Sequence, residues 1–238
     1  MRVCQIGASS TTLVPKRKRR RPDRAGGRDV KETERTTRSV FMSHIPVRKG
    51  GESCSRGLHR NSHCAFAMLL EVDPEVISWT TEAEPLKVTF KGRQSDFVPH
   101  FMVKRKQGLR AVLVRRGART TGPVLDFDMT LTAAYAEQGV EYRAEFEDEL
   151  RVDPRVTAAQ TILWHRPWRP SEDVLARAAA LAKNPPPNLG ELQRVLGLDE
   201  ASWPFVISLV ARGWVDVGIP MSIGPETPVR ACTMGASY

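Results

Sequence analysis

Up to about residue 165 the apolar positions switch between helical spacing and two-residue alternation. In residues 58–70 (LHRNSHCAFAMLL), Leu58, Phe66, Met68, Leu69 and Leu70 thicken one side of a helix toward its C-terminal end. Asp73-Pro74 stops it, and residues 76–79 begin an extended stretch. Residues 86–90 (LKVTF) alternate and predict a strand, and Lys91-Gly92-Arg93-Gln94 reads as a turn. Residues 97–103 predict a second strand, with Pro99 marking an edge, a bend or a bulge. Residues 104–108 read as a charged turn, and Ala111-Val112-Leu113-Val114 as a short central strand. A helix over 128–138 with Gly139 as its cap, a strand over 142–146 and a helix over 157–165 complete the series. Helix, three strands, helix, strand is the order of an α/β sandwich, a mixed sheet flanked by helices.

A boundary falls at Arg166-Pro167-Trp168-Arg169-Pro170, and the pattern beyond it is helical. Ser171 caps a helix to about residue 183, and Pro185-Pro186-Pro187 breaks the chain. Asn188 caps a second helix through Val195 that Gly197 ends, and a third runs over about 200–212 to Gly213. Trp214-Val215-Asp216-Val217 then alternates like a strand. Helix, short helix, turn, helix and strand is the winged-helix order. The expected organisation is an arm over 1–38, an α/β domain over 39–166 and a small winged-helix-like domain over 167–238.

Composition narrows the class. The 238 residues are 41% hydrophobic and 26% charged, enough apolar material for a core. No apolar run approaches the roughly 20 residues that span a bilayer, so no membrane partner is expected. Residues 1–30 lack an apolar segment followed by a small-residue cleavage site, so secretion is not expected. Cys4, Cys54, Cys64 and Cys232 are scattered with no CxxC, which argues against a disulfide framework and a cysteine zinc site. A reducing cytoplasm fits that usage.

Charge changes the picture more. Residues 1–38 carry +8 of the +9 formal net charge, so the body is nearly neutral. Lys16, Arg17, Lys18, Arg19, Arg20 and Arg21 form an unbroken basic run with no apolar partner, expected to be disordered alone. Such a run binds phosphates by counterion release without reading sequence. The alternatives are a solvated tail or an upstream stretch from a wrong start codon.

Four short segments carry a resemblance. Leu69-Leu70-Glu71-Val72-Asp73-Pro74-Glu75-Val76, Glu84-Pro85-Leu86, Phe97-Val98-Pro99-His100-Phe101-Met102-Val103 and Val112-Leu113-Val114-Arg115 follow one another in order. Together with the winged-helix pattern, over roughly residues 38–232, they resemble the TnsA-like endonuclease family of heteromeric transposons. The resemblance implies a restriction-endonuclease-like domain. Its site normally uses a helix Glu, a strand Asp and an acidic-or-Gln-x-Lys pair. Carboxylates there hold Mg²⁺ beside the scissile phosphate while the Lys orients the attacking water.

This chain departs at each of those positions. His100 stands for the strand Asp, Leu113 for the acidic-or-Gln residue and Arg115 for the Lys, and the helix Glu falls at His59 or His63. Arg115 keeps its proton and makes a poor base. Loss of Mg²⁺-dependent cleavage is therefore expected, with no cofactor, and with Mg²⁺ only if nuclease activity survives. Asp96 and Glu52 are the acids available for a displaced site, but four strand residues separate Asp96 from His100 by about 13 Å. His59 and His63, one helical turn apart, could join His100 around a transition metal with one open position. The alternative is that the imidazoles fill a dead pocket.

Lys104, Arg105, Lys106, Arg115, Arg116 and Arg119 form a second possible phosphate-binding surface, or else a solvated face. The third C-terminal helix starts Asp199-Glu200 and carries only Arg212 as a base, so packing or protein contact suits it better than groove reading. The expectation is a catalytically degenerate TnsA-like protein that binds DNA and contacts a transposase subunit or other partner. An active endonuclease with a displaced site and a regulatory DNA-binding protein are the alternatives.

Overall fold

The computed structural model describes residues 43–46, 49, 55–58, 60–117 and 123–231, all within one compact unit, 39–238. The 1–38 arm, His59, Glu52, Arg119, Cys4, Cys54 and Cys232 lie outside the described residues. A two-stranded antiparallel ribbon, β1 (Ser43–Pro46) and β2 (Ser55–Leu58), precedes α1 (Asn61–Val72). Leu58 therefore ends a strand, and the helix expected from residue 58 starts at Asn61. Cys64, Phe66, Ala67, Leu69 and Leu70 are buried on α1, which leaves it little solvent face. The helix stops where Asp73 leaves helical geometry, its side chain accepting from the Glu75 amide at 2.9 Å.

The central sheet has four strands in the order β3 (Val76–Thr80), β6 (Phe101–Arg105), β7 (Gly108–Arg115), β8 (Val140–Phe146). β3 and β6, and β6 and β7, pair antiparallel, while β7 and β8 are parallel. The parallel pair requires a crossover, supplied by α2 (Pro123–Ala136). The fold is thus mixed α/β, with parallel and antiparallel strands flanked by helices.

β7 is central because both its faces are covered. Val112 and Val114 join the core under α1 with Phe101, Val103 and Leu150. Ala111 and Leu113 join the core under α2 with Leu131, Tyr135 and Tyr142. Two-residue alternation of four apolar residues between two helical layers accounts for its continuous apolar run. Phe101 is fully buried between Phe66, Trp79 and His63, with ring centroids 5.2, 5.7 and 5.7 Å away.

The strand expected over 97–103 is two strands in two sheets. β4 (Leu86–Phe90) and β5 (Arg93–Phe97) form their own antiparallel hairpin, and β6 begins only at Phe101. Pro99, with no amide to donate, sits where the chain leaves one sheet for the other. The hairpin turn is Lys91-Gly92, both at positive φ (50° and 74°), as a tight two-residue connection requires. Arg93 and Gln94, expected in that turn, belong to β5. Likewise Lys104 and Arg105 belong to β6, and the expected charged turn shrinks to Lys106-Gln107.

The helix expected over 157–165 starts earlier, as α4 (Pro154–Trp164), with Asp153 accepting from the Arg155 amide at 2.9 Å and Pro154 in the first turn. Before it, α3 (Glu147–Val152) was not expected; three acids in its first turn suit the positive end of a helix. Beyond α4 come α5 (Glu172–Leu181), capped by Ser171, and α6 (Leu189–Val195), capped by Asn188. A 3-10 turn (Glu200–Ser202) and α7 (Trp203–Ala211) follow. Ile162 of α4, Val174, Leu189, Leu192, Leu196, Val206, Ile207 and Leu209 make the C-terminal core. The strand expected over 214–217 is reduced to a single bridge, Asp216 with Arg230. Gly218, at φ 66°, donates its amide to the Asp216 carboxylate at 2.6 Å, which turns the chain away.

Glu71 ties these parts together. Its side chain is buried, and Oε1 accepts from the Trp79 indole at 2.8 Å and the Lys49 amide at 3.1 Å. The Arg166 guanidinium lies 3.8 Å from Oε2. A buried carboxylate is tolerable only with such partners. Among the described residues no helix is long and apolar enough to cross a membrane.

Candidate functional site

His63 lies in the first turns of α1 and His100 in the bend just before β6. Their ring centroids are 4.4 Å apart, tilted by 48°. The bend is held to β7 from both ends of His100. Its amide donates to the Val112 carbonyl at 2.9 Å, and its Nδ1 accepts from the Val114 amide at 3.0 Å. Burial, with Arg60 and Arg115 nearby, holds His100 below the usual imidazole range. The acceptor at Nδ1 fixes the neutral tautomer that carries its proton on Nε2.

That tautomer decides what the pair does chemically. A metal-bound imidazole coordinates through one nitrogen and donates a proton from the other. In His100, Nδ1 is committed as an acceptor, so Nε2 could bind a metal only by surrendering the remaining ring proton. His100 is thus built as a neutral ring packed against His63. Among the described residues no group of three His, Cys, Asp or Glu side chains is placed to hold a metal ion. His59, the third proposed ligand, lies outside the described residues.

Among the described residues, the positions that the resemblance implies do not share one side of the sheet. His63 and His100 lie on the α1 side, beside Phe101. Leu113 and Arg115 project toward α2. Leu113 packs there with Leu131 and Tyr142. Arg115 is ion-paired with Asp128 on α2, and the Tyr142 hydroxyl donates to the same carboxylate oxygen at 2.7 Å. The ordinarily high pKa of Arg115 is raised further: the hydrogen bond and charge of Asp128 outweigh the cost of burial. Burial and Asp128 also push the Tyr142 hydroxyl up. Neither residue titrates near neutrality.

Mg²⁺ asks for carboxylate, carbonyl and water oxygens. Two imidazoles, a leucine and an ion-paired guanidinium do not supply them, so the residues at these positions do not fit the ion. Asp96 belongs to β5, opposite Lys87, in a different sheet from β6, so the along-strand distance to His100 does not apply.

Asp128 and Tyr142 were missed by sequence reasoning as partners of Arg115. The available signal was the β7–α2–β8 order, because a crossover helix returns its early turns over the end of the strand it leaves.

The second basic set is divided rather than clustered. Arg105 is mostly buried and pairs with Asp73 at 2.8 Å on the α1 side, whereas Arg115 faces α2. Lys106 pairs with Glu75 at 3.1 Å, and Lys104 and Arg116 are exposed. A cavity of about 100 Å³ under α1 is edged by Arg105, Arg110, Arg143 and Arg155. Each of these has an acid partner: Asp73, Glu141 at 2.7 Å, Glu145 at 2.5 Å and Asp153 at 2.6 Å. Burial pushes the Glu145 carboxyl above its ordinary range. The cavity is therefore electrically compensated. Compared with known proteins, the chain matches no protein-family model and no curated protein.

Proposed function

We propose that this protein is a catalytically degenerate relative of the TnsA-like endonucleases, which binds DNA without cutting it and contacts a transposase subunit or other partner in transposition or recombination. One observation carries the loss of catalysis. The nitrogen of His100 nearest β7 is taken by the Val114 amide, and Arg115 is taken by Asp128. Neither position has a free oxygen for a divalent cation or a base for water. The mixed sheet with helices on both faces supports a restriction-endonuclease-like reading of 39–166. The α5–α6–α7 cluster, with the chain returning to bridge Asn188 and Asp216, supports a winged-helix-like reading of 167–238.

DNA contact is assigned to the arm. Its sequence carries a net +8 even after its four acids are counted, whereas Arg105, Lys106 and Arg115 in the body are paired with acids. The test joins two measurements on the full chain. Supercoiled plasmid with Mg²⁺ or Mn²⁺ should stay intact while a labelled random duplex is bound in a salt-dependent way. Nicking abolished by Asp96→Ala or Glu52→Ala would establish the displaced-site alternative instead.

A further inference from the structure

Two tryptophans stand in solvent where α4 gives way to the C-terminal helices. Trp164, the last residue of α4, is 75% exposed, and Trp168, four residues on, is 46% exposed. An indole is among the largest apolar surfaces a chain can present, and exposed aromatic patches mark interaction sites.

Trp168 and the turn between the two are held in place. The Trp168 ring packs edge-on against Phe205 at 5.6 Å. Its carbonyl accepts from Ser208 Oγ at 2.5 Å and from Arg212 Nε at 3.4 Å. Arg166, between the two tryptophans, reaches toward buried Glu71, and its carbonyl accepts from Arg212 Nη2 at 3.1 Å. The turn is thus pinned to α1 on one side and α7 on the other. From Pro154 to Ser171 the chain has no Asp or Glu, and Arg169 is exposed beside Trp168.

We propose that Trp164 and Trp168 form a stacking platform for unpaired bases of single-stranded DNA, with Arg169 on the adjoining phosphates. This rests on the DNA-binding reading above and adds a base-contacting site to it. The face of an indole accepts any base, but duplex bases are already stacked on each other, so the strand must be open. Arg155 and Arg166 in this stretch are paired with Asp153 and Glu71, so exposed Arg169 beside Trp168 is the cation that favours a polyanion over an apolar protein surface, which would need no cation. A pre-set turn also spares the ordering cost that a loose loop would incur on binding.

The experiment titrates the full chain with oligothymidylate while following tryptophan emission, and with a labelled duplex by anisotropy. Oligothymidylate should quench the emission, and an abasic strand of equal length and charge should not. Trp164→Ala should weaken the single strand roughly tenfold, Trp164→Phe should restore most of that, and duplex affinity should hold in both. Trp164 is the choice because so exposed a side chain can be truncated without opening a core. Duplex binding without quenching, or equal single-strand affinity in Trp164→Ala, overturns the platform and leaves the DNA-binding reading standing. Quenching without duplex binding supports the platform and overturns arm-led duplex binding, and no binding of either overturns both. Self-association abolished by Trp164→Ala would make this face a contact between copies and also overturn the proposal.

Discussion

Arg115 on β7 and Asp128 on α2 form an ion pair across the α2 side of the sheet, with side chains only 20% and 15% exposed. Tyr142, on the neighbouring parallel strand, donates to the same carboxylate oxygen at 2.7 Å. One acid thus links the end of β7, the early part of the crossover helix and β8. Arg115 stands where the family resemblance implies a lysine, and here it is a structural cation.

Removing one partner of this pair leaves the other desolvated. Asp128→Asn should destabilise the protein by about 2 kcal/mol, less than a fully buried pair because both groups keep some solvent. Adding Arg115→Met should recover part of that loss, since the stranded charge is then gone. Urea denaturation of wild type, both single variants and the double variant measures the coupling. Strictly additive losses would mean the two side chains do not act together.

The His100 contact makes stability depend on pH. Its folded pKa lies below the ordinary value of about 6.5, so between those two values the unfolded chain binds the extra proton. Stability contributed by neutral His100 is present above about pH 6.5 and is lost as pH falls toward the folded pKa. His100→Asn keeps an acceptor for the Val114 amide and removes the titration. Its Tm should fall less than that of wild type between pH 7 and pH 5. Zinc should raise the Tm of neither protein, because Nδ1 is already committed. A zinc-dependent rise in wild type, lost in the variant, would instead make His100 a ligand.

The proposed contact of the arm with DNA predicts the salt dependence of duplex binding. If about six cations of residues 16–21 meet phosphates, log K against log salt should have a slope near −5. Deleting residues 1–38 should flatten it and weaken all duplex sequences about equally, because phosphate contacts carry no base information. If the truncated protein kept its slope, and charge reversal at Arg115 and Arg116 abolished it, the contacts would belong to the body.

Lys91 sits at φ 50° in the two-residue turn between β4 and β5. A lysine in the left-handed region pays for the crowding of its Cβ, which asparagine tolerates better by bonding to its own backbone. Lys91→Asn should raise stability by about 0.5 kcal/mol, read from the urea midpoint. Phe101→Ala, at the centre of the α1 core, should cost about 3–5 kcal/mol by the same measurement.

Local chemistry made much of the fold legible. Asp73-Pro74, Ser171, Asn188, Gly197 and Gly213 each govern their own few residues, and the helix ends they predict occur close to the expected places. The apolar run Ala111–Val114 predicted a central strand because only a strand covered on both faces is apolar at every position. The sheet that Arg93 and Gln94 would join was not legible, since pairing depends on a partner strand rather than on their own polarity. The acids of 147–149 are themselves the local signal of the α3 start.

The sequence alone determined that His100, Leu113 and Arg115, with His59 or His63, stand where the resemblance implies acids and a lysine, and that the charge is concentrated in residues 1–38. Only the tertiary structure decided that His63 meets His100 while Leu113 and Arg115 face α2, that Asp96 lies in a separate hairpin, and that Trp164 and Trp168 remain exposed. Composition and spacing act within a few residues. Which face a strand residue presents, and what stands opposite, is set by register and crossover, where a shift of one residue exchanges the two faces of the sheet.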